Sequence, residues 1–285
     1  MSGTMCLLVV GALAAVTVPA LLPRLVPSST AAPRMALLGW QLGSLSVIAS
    51  WVLAGVLLPG TVLTVVVVGG VSGRLAYSLV VLAWCGRRTR QSHAQAARII
   101  GREDPTLGAT VVDSDVPAVY CLAGRPATIV VTSGGALPAE QLRAALAHER
   151  AHLAGRHHLL LVLAGAIRRA FPGVALFELA DRETARLVEV VADDTAAQRH
   201  GRRTVAEALM RLACARTPAT ALAAGGPGVL HRVERLLCAP VPVTVRQRTR
   251  WVGGLTLAVA GPLAGIALPV AMLAPYLQTC SLPGM

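Results

Sequence analysis

Every Asp and Glu in this chain lies between Glu103 and Glu234, and every His lies between His93 and His231. On either side the sequence runs for long stretches in which the only charged side chain is Arg. A helix needs about 20 apolar residues to cross roughly 30 Å of hydrocarbon, a layer in which each backbone amide must be satisfied within its own helix. Residues 5–22 and 36–58 carry no charge, and 61–84 carry only Arg74. These runs read as three transmembrane helices, at about 5–22, 36–58 and 61–84, with a fourth at about 251–277 and a short tail, 278–285. Residues 86–250 then form a polar domain between the spans. No basic residue precedes the first run, so a retained helix is favoured over a signal peptide. With 54% apolar and 14% charged residues, the expectation is a mainly α membrane protein of about four spans.

All 26 basic residues are Arg, a usage that reads as the coding bias of a GC-rich bacterial genome. A net charge of +12 invites a nucleic-acid reading. The clusters Arg87, Arg88, Arg90 and Arg246, Arg248, Arg250 instead flank apolar runs, as membrane anchors do. Few aromatic residues are present for stacking, so no direct nucleic-acid partner is expected. Basic residues follow the first and third runs, while the N-terminus and the turn at 59–60 carry none. The positive-inside rule places both termini outside and 86–250 in the cytoplasm of a bacterial cell membrane, with the lipid bilayer as a partner. Arg74 sits near mid-span, where a charge costs about 2.5–3.5 kcal/mol. It must face other helices, water or a carboxylate, or snorkel through a shifted span. The six cysteines form no CxxC pair. They read as mostly buried small apolar residues, with a Cys6–Cys280 disulfide left open.

Within the polar domain, 91–103 reads as helix and Pro105 breaks it. Short apolar runs at Ala109 to Val112, Val116 to Leu122 and Thr128 to Thr132 suggest a small sheet. The last of these, TIVVT, is either an exposed strand that pairs with an extended substrate or an ordinary core strand. Then comes EQLRAALAHERAHLAG, residues 140–155. On a helix, residues four apart lie one above the other, so His148 and His152 can present both imidazoles to one metal ion. Glu149 can reach a water at the metal's open position, the place of a general base in metal-assisted hydrolysis. Leu142, Leu146 and Leu153 with Ala145 recur at helical spacing, Pro138 suits the first turn and Gly155 the end.

A zinc peptidase needs a third protein ligand. The candidates are Glu189, Asp193, Asp194, His157, His158 and His200. Glu189 and Asp193 lie four apart in the helical pattern 178–199, so Glu189 can ligate while Asp193 orients a ligand histidine and Asp194 turns away. Carboxylates near a helix C-terminus oppose its dipole, an arrangement that calls for a purpose. His157 and His158 read mainly as surface histidines at a helix end, with support of a ligand residue or positioning of substrate as the alternative. His200, Arg202 and Arg203 are candidates to stabilise an oxyanion. The segment 159–170 reads as a short apolar helix, 203–216 as another, 217–228 as a linker, and HRVERLL at 231–237 as a last short helix.

The stretches VYCLAGR, IVVTSGGAL, LAHERAHLAGRHH and LVEVVADDTAA, spread over Val119 to Asp194, resemble the BlaR/MecR-type family of membrane-embedded metallopeptidases. They are more distantly similar to the HtpX and CAAX-protease type, which pairs HExxH with ExxAD. The resemblance implies a zincin-like α+β domain with zinc held by His148, His152 and Glu189, Asp193 behind them and Glu149 as general base and acid. It also implies a protein substrate, such as a DNA-binding repressor whose loss switches on resistance genes. The chain ends eight residues after its last expected span, so no penicillin-binding sensor is expected. Competing expectations are an HtpX-like quality-control protease, a zinc-bearing receptor or scaffold without catalysis, and a small transporter or channel subunit built around Arg74.

Overall fold

The computed structural model describes residues 32–56, 60–134, 137–216, 226–238, 244–247, 249–254, 256 and 260. The expected span at 5–22 and nearly all of that at 251–277 lie outside the described residues. The described elements are α1 (Pro33–Val56), α2 (Thr61–Ile100), β1 (Gly101–Asp104), β2 (Ala109–Val112), β3 (Val119–Leu122), β4 (Thr128–Thr132), α3 (Ala139–Ala154), α4 (His157–Ala170), α5 (Ala175–His200), α6 (Arg202–Arg216) and α7 (Gly226–Leu237). The chain divides into two compact units, one of residues 1–80, 163–184 and 243–285, the other of 81–162 and 185–242.

Among the described residues, two helices are long and apolar enough to cross a membrane, α1 and α2. The first unit packs α1 by a mixture of small polar and aromatic contacts. Gln41 Nε2 donates to Thr184 Oγ1 at 2.9 Å, and the Trp51 ring meets Phe171 and Phe177 edge-on at 5.3 and 5.6 Å. Gly55 has no Cβ because one would lie 3.0 Å from methyl groups of both Val67 and Val68, so a larger residue would push α1 and α2 apart. Arg74 Nε donates to the carbonyl of Ala170, the last residue of α4. Of the alternatives left open for this arginine, the structure shows it facing another helix, at the negative end of that helix's dipole.

The second unit holds the sheet, of order β1-β2-β4-β3. β1 and β2 are antiparallel, β2 and β4 parallel, and β3 and β4 antiparallel, with Val130 opposite both Thr110 and Tyr120. Ile129 and Val131 pack with Leu146 of α3 on one face, while Val130 and Leu122 pack with Ala97 of α2 on the other. The centre of TIVVT, Ile129 to Val131, is apolar because it is covered on both faces. It is also paired on both sides, so it is a core strand and has no free edge for a substrate. Among the described strands the sheet's edges are β1 and β3.

Around the first strand the boundaries differ from the sequence reading. The helix expected at 91–103 ends at Ile100 and is continuous with the third apolar run, and 101–104 form β1. Asp104 decides this: its Oδ1 accepts from Thr106 N, Thr106 Oγ1 and Leu107 N, closing the turn that leads through Gly108 at φ 59° into β2. The cysteines also differ, since Cys85, Cys214 and Cys238 are exposed and Cys121 is half-buried. A small thiol costs little at a surface, and apolar character alone does not dictate burial.

Candidate metal centre

Pro138 caps α3, whose alanines Ala144 and Ala147 pack with Ala196 of α5, Val205 of α6 and Val233 of α7. Small side chains at that meeting point let the helices approach closely and bring α3 and α5 side by side. His148 and His152 then stand on successive turns with their Nε2 atoms 3.1 Å apart. Glu189 of α5 straddles them: Oε2 lies 3.5 Å from His148 Nε2, and Oε1 3.5 Å from His152 Nε2. One donor atom from each residue keeps all three within 4.8 Å of one another. Tetrahedral zinc ligands at ~2.0–2.1 Å stand about 3.3 Å apart. Two imidazoles and a carboxylate at these spacings therefore fit zinc and leave one position open.

Behind His148 lies Asp193, fully buried, with Oδ1 3.1 Å from His148 Nδ1. Arg232 of α7 grips that carboxylate with Nε and Nη2, each at 2.7 Å, and reaches Glu189 Oε2 with Nη1 at 2.9 Å. One residue along α5, Asp194 is held the same way by Arg235 at 2.8 and 2.7 Å. Asp194 is thus engaged by Arg235 and serves to seat α7. Burial works against ionised Asp193 and Glu189. Bonds from Arg232 and His148 to Asp193, and from His148 to Glu189 with the Arg232 charge beside it, nevertheless hold both below the usual carboxylate range.

Burial also opposes a charged His148, yet its bonds with Asp193 and Glu189 carry its pKa up to about 9. Burial takes His152 the other way, to about 4; Glu189 opposes the fall, while His148 and His157 add to it. Near neutral pH His148 of the metal-free site is therefore protonated, and this proton must leave when a metal is bound. Zinc affinity is expected to strengthen about tenfold per pH unit up to about pH 9 and then to level off. Competition titrations against a chelator of known pH dependence measure this. Asp193→Asn should move the break to lower pH, and a flat profile between pH 6 and 9 in the unaltered chain would refute the assignment.

Glu149 sits beside the triangle with its carboxyl pushed up by burial, opposed by the positive field of His148 and by hydrogen bonds from the thiol and backbone of Cys121 in β3. The thiol in turn is pushed up by its own burial and by Glu149, and stays protonated. Cys121 was missed in the sequence because no spacing links β3 to α3.

The remaining candidates fall elsewhere. Arg202 donates to the carbonyls of Leu236 and Cys238 and ties down the end of α7. Arg203 pairs with Glu207 at 2.9 Å on the exposed side of α6. His200 closes α5 eleven residues beyond Glu189, roughly 16 Å along the axis. The cation that does touch the triangle is Arg232, which the sequence reading passed over within HRVERLL. Its spacing to Arg235 echoes the Asp193–Asp194 pair, but nothing in chain order matches them. His157, read as a surface residue, is buried against His152; His158 is half-buried.

No curated protein and no solved structure matches the chain. Residues 86–239, just over half of it, match the family described as Peptidase family M48, whose members are metallopeptidases that are generally zinc-dependent. That stretch starts beside the arginine cluster after the third apolar run, and takes in the sheet, the histidine pair, Glu189 and α7 with Arg232. A donor triangle suited to zinc and a matched region that encloses all of its parts lead to one conclusion: the chain belongs to peptidase family M48.

Proposed function

We propose that the protein is a membrane-embedded zinc endopeptidase that hydrolyses a protein substrate at the cytoplasmic face, with a DNA-binding repressor as one candidate substrate. The observation that carries the catalytic part is the triangle of His148, His152 and Glu189 with the Glu149 carboxyl beside it. His148 and His152, through Nε2, and Glu189, through its carboxylate, would hold the ion. When bound, zinc supplies Lewis acidity, polarising the scissile carbonyl and lowering the pKa of water.

Glu149 then takes a proton from the attacking water as its oxygen bonds to the carbonyl carbon. It returns that proton to the amine nitrogen as the C–N bond breaks. A carboxyl whose pKa is raised by burial is suited to both transfers. Arg232 keeps Glu189 and Asp193 ionised and in place. β3 contacts Glu149 through Cys121 and is paired only to β4 among the described strands, so its open edge offers an extended substrate backbone hydrogen bonds next to the general base.

Membrane anchoring is supported by α1 and α2 and by the exposed apolar side chains Val62, Val65 and Val66 early in α2. Trp84 and Arg88, stacked at 5.4 Å, follow where the run ends. The cytoplasmic placement of the peptidase domain rests on the positive-inside pattern.

The test uses detergent-purified full chain. About one zinc per chain is expected, with cleavage of a casein-like protein that a chelator abolishes and zinc restores. A chain that binds no zinc would overturn the reading, and cleavage that survives zinc removal would overturn the mechanism. Candidate repressors serve as parallel substrates.

A further inference from the structure

His157, the first residue of α4, is 4% exposed and touches a metal ligand. Its Nδ1 lies 3.0 Å from His152 Nδ1, with the two rings edge-to-face at 4.8 Å between centroids. A second, independent feature fits it there. Gly155 has φ −76° and ψ −3°, ordinary helical values that alanine adopts freely. A Cβ on Gly155 would nevertheless lie 2.4 Å from His157 Nε2 and 2.6 Å from its Cδ2. The glycine is thus used for space, and the space is filled by the His157 ring. Arg156, at φ 48°, makes the turn that swings His157 back under α3.

We propose that His157 is the positioning residue of the metal ligand His152. The chemistry follows from the two nitrogens of each ring. If His152 offers the Nε2 lone pair to the ion, its Nδ1 carries the proton. That N–H points at His157 Nδ1, which must accept, so His157 is neutral with its proton on Nε2. The bond fixes the tautomer and the ring plane of His152, as Asp193 does for His148. The two ligand histidines are therefore backed by unlike partners, a carboxylate and a neutral imidazole. This inference rests on the zinc-peptidase reading and adds to it a residue outside the triangle on which metal affinity depends.

Zinc affinity of the full chain in detergent, measured by chelator competition, tests it with four variants. Asn places its amide oxygen near the position of His Nδ1, whereas Gln places its amide near that of Nε2. His157→Ala and Gly155→Ala are expected to weaken zinc binding by about 10–100-fold. His157→Asn should bind close to the unaltered chain, and His157→Gln should stay weak. The visible spectrum of the cobalt(II)-substituted protein should shift in the two alanine variants and return in His157→Asn, which a mere packing role would not produce. Should His157→Ala unfold, Gly155→Ala carries the test, since it leaves His157 in the chain. Unchanged zinc affinity in either alanine variant, or equal recovery by Asn and Gln, would overturn the proposal. Failure of the unaltered chain to bind zinc would instead remove the peptidase reading on which it rests.

Discussion

Glu149→Gln is expected to keep zinc and to lower kcat by about 10²–10⁴-fold, the usual range for loss of a general base. Glutamine matches glutamate in size and can still meet Cys121, so α3 and the donor triangle remain. It cannot accept the water proton. His152→Ala should lose both zinc and turnover, since it removes one of three donors. Zinc content and initial rates on the same preparations separate the two cases. A Glu149→Gln protein that cleaves at the unaltered rate would show that the general base lies elsewhere. A phenotype that persists in cells with Glu149→Gln would favour a receptor that uses zinc structurally.

The second large effect is on stability. Arg232→Ala is expected to cost about 3–5 kcal/mol, as when one partner of a buried ion pair is removed. Asp193 is 1% exposed at its side chain and would keep His148 as its one remaining cationic partner, shared with Glu189. Arg235→Ala should cost less, because Asp194 is 27% exposed and water takes over part of its solvation. Arg232→Lys keeps the charge but not the two-pronged grip, and should fall between. Denaturant unfolding of the zinc-free proteins measures this. Equal losses for Arg232→Ala and Arg235→Ala would remove the special place given to Arg232.

Parts of the site that share a helix were legible in sequence, because helical periodicity converts spacing into direction. His148, Glu149 and His152 lie within one turn and a half of α3, and Glu189 and Asp193 one turn apart on α5. The four-residue interval in each case puts the side chains on one face whatever the rest of the chain does. Contacts between elements had no such rule. Arg232 meets Asp193 across 39 positions, and Cys121 meets Glu149 across a strand, a turn and half a helix. His157 was misjudged for a local reason: Arg156 takes a left-handed backbone that a helical reading does not anticipate. TIVVT could have been an edge or a centre, since an apolar run fits both, and only its pairing with β2 and β4 decides.

The sequence by itself determined the chemistry available, two imidazoles and carboxylates at helical spacing, and the long apolar runs, two of which are helices long and apolar enough to cross a membrane. These follow from properties of side chains within one element. The tertiary structure alone decided which cation pairs with the carboxylates, which groups stand against His148, His152 and Glu149, and which described strands lie at the sheet's edge. Those depend on how helices and strands meet, and that is set by the close packing of small residues such as Ala144, Ala147 and Ala196 rather than by any interval along the chain.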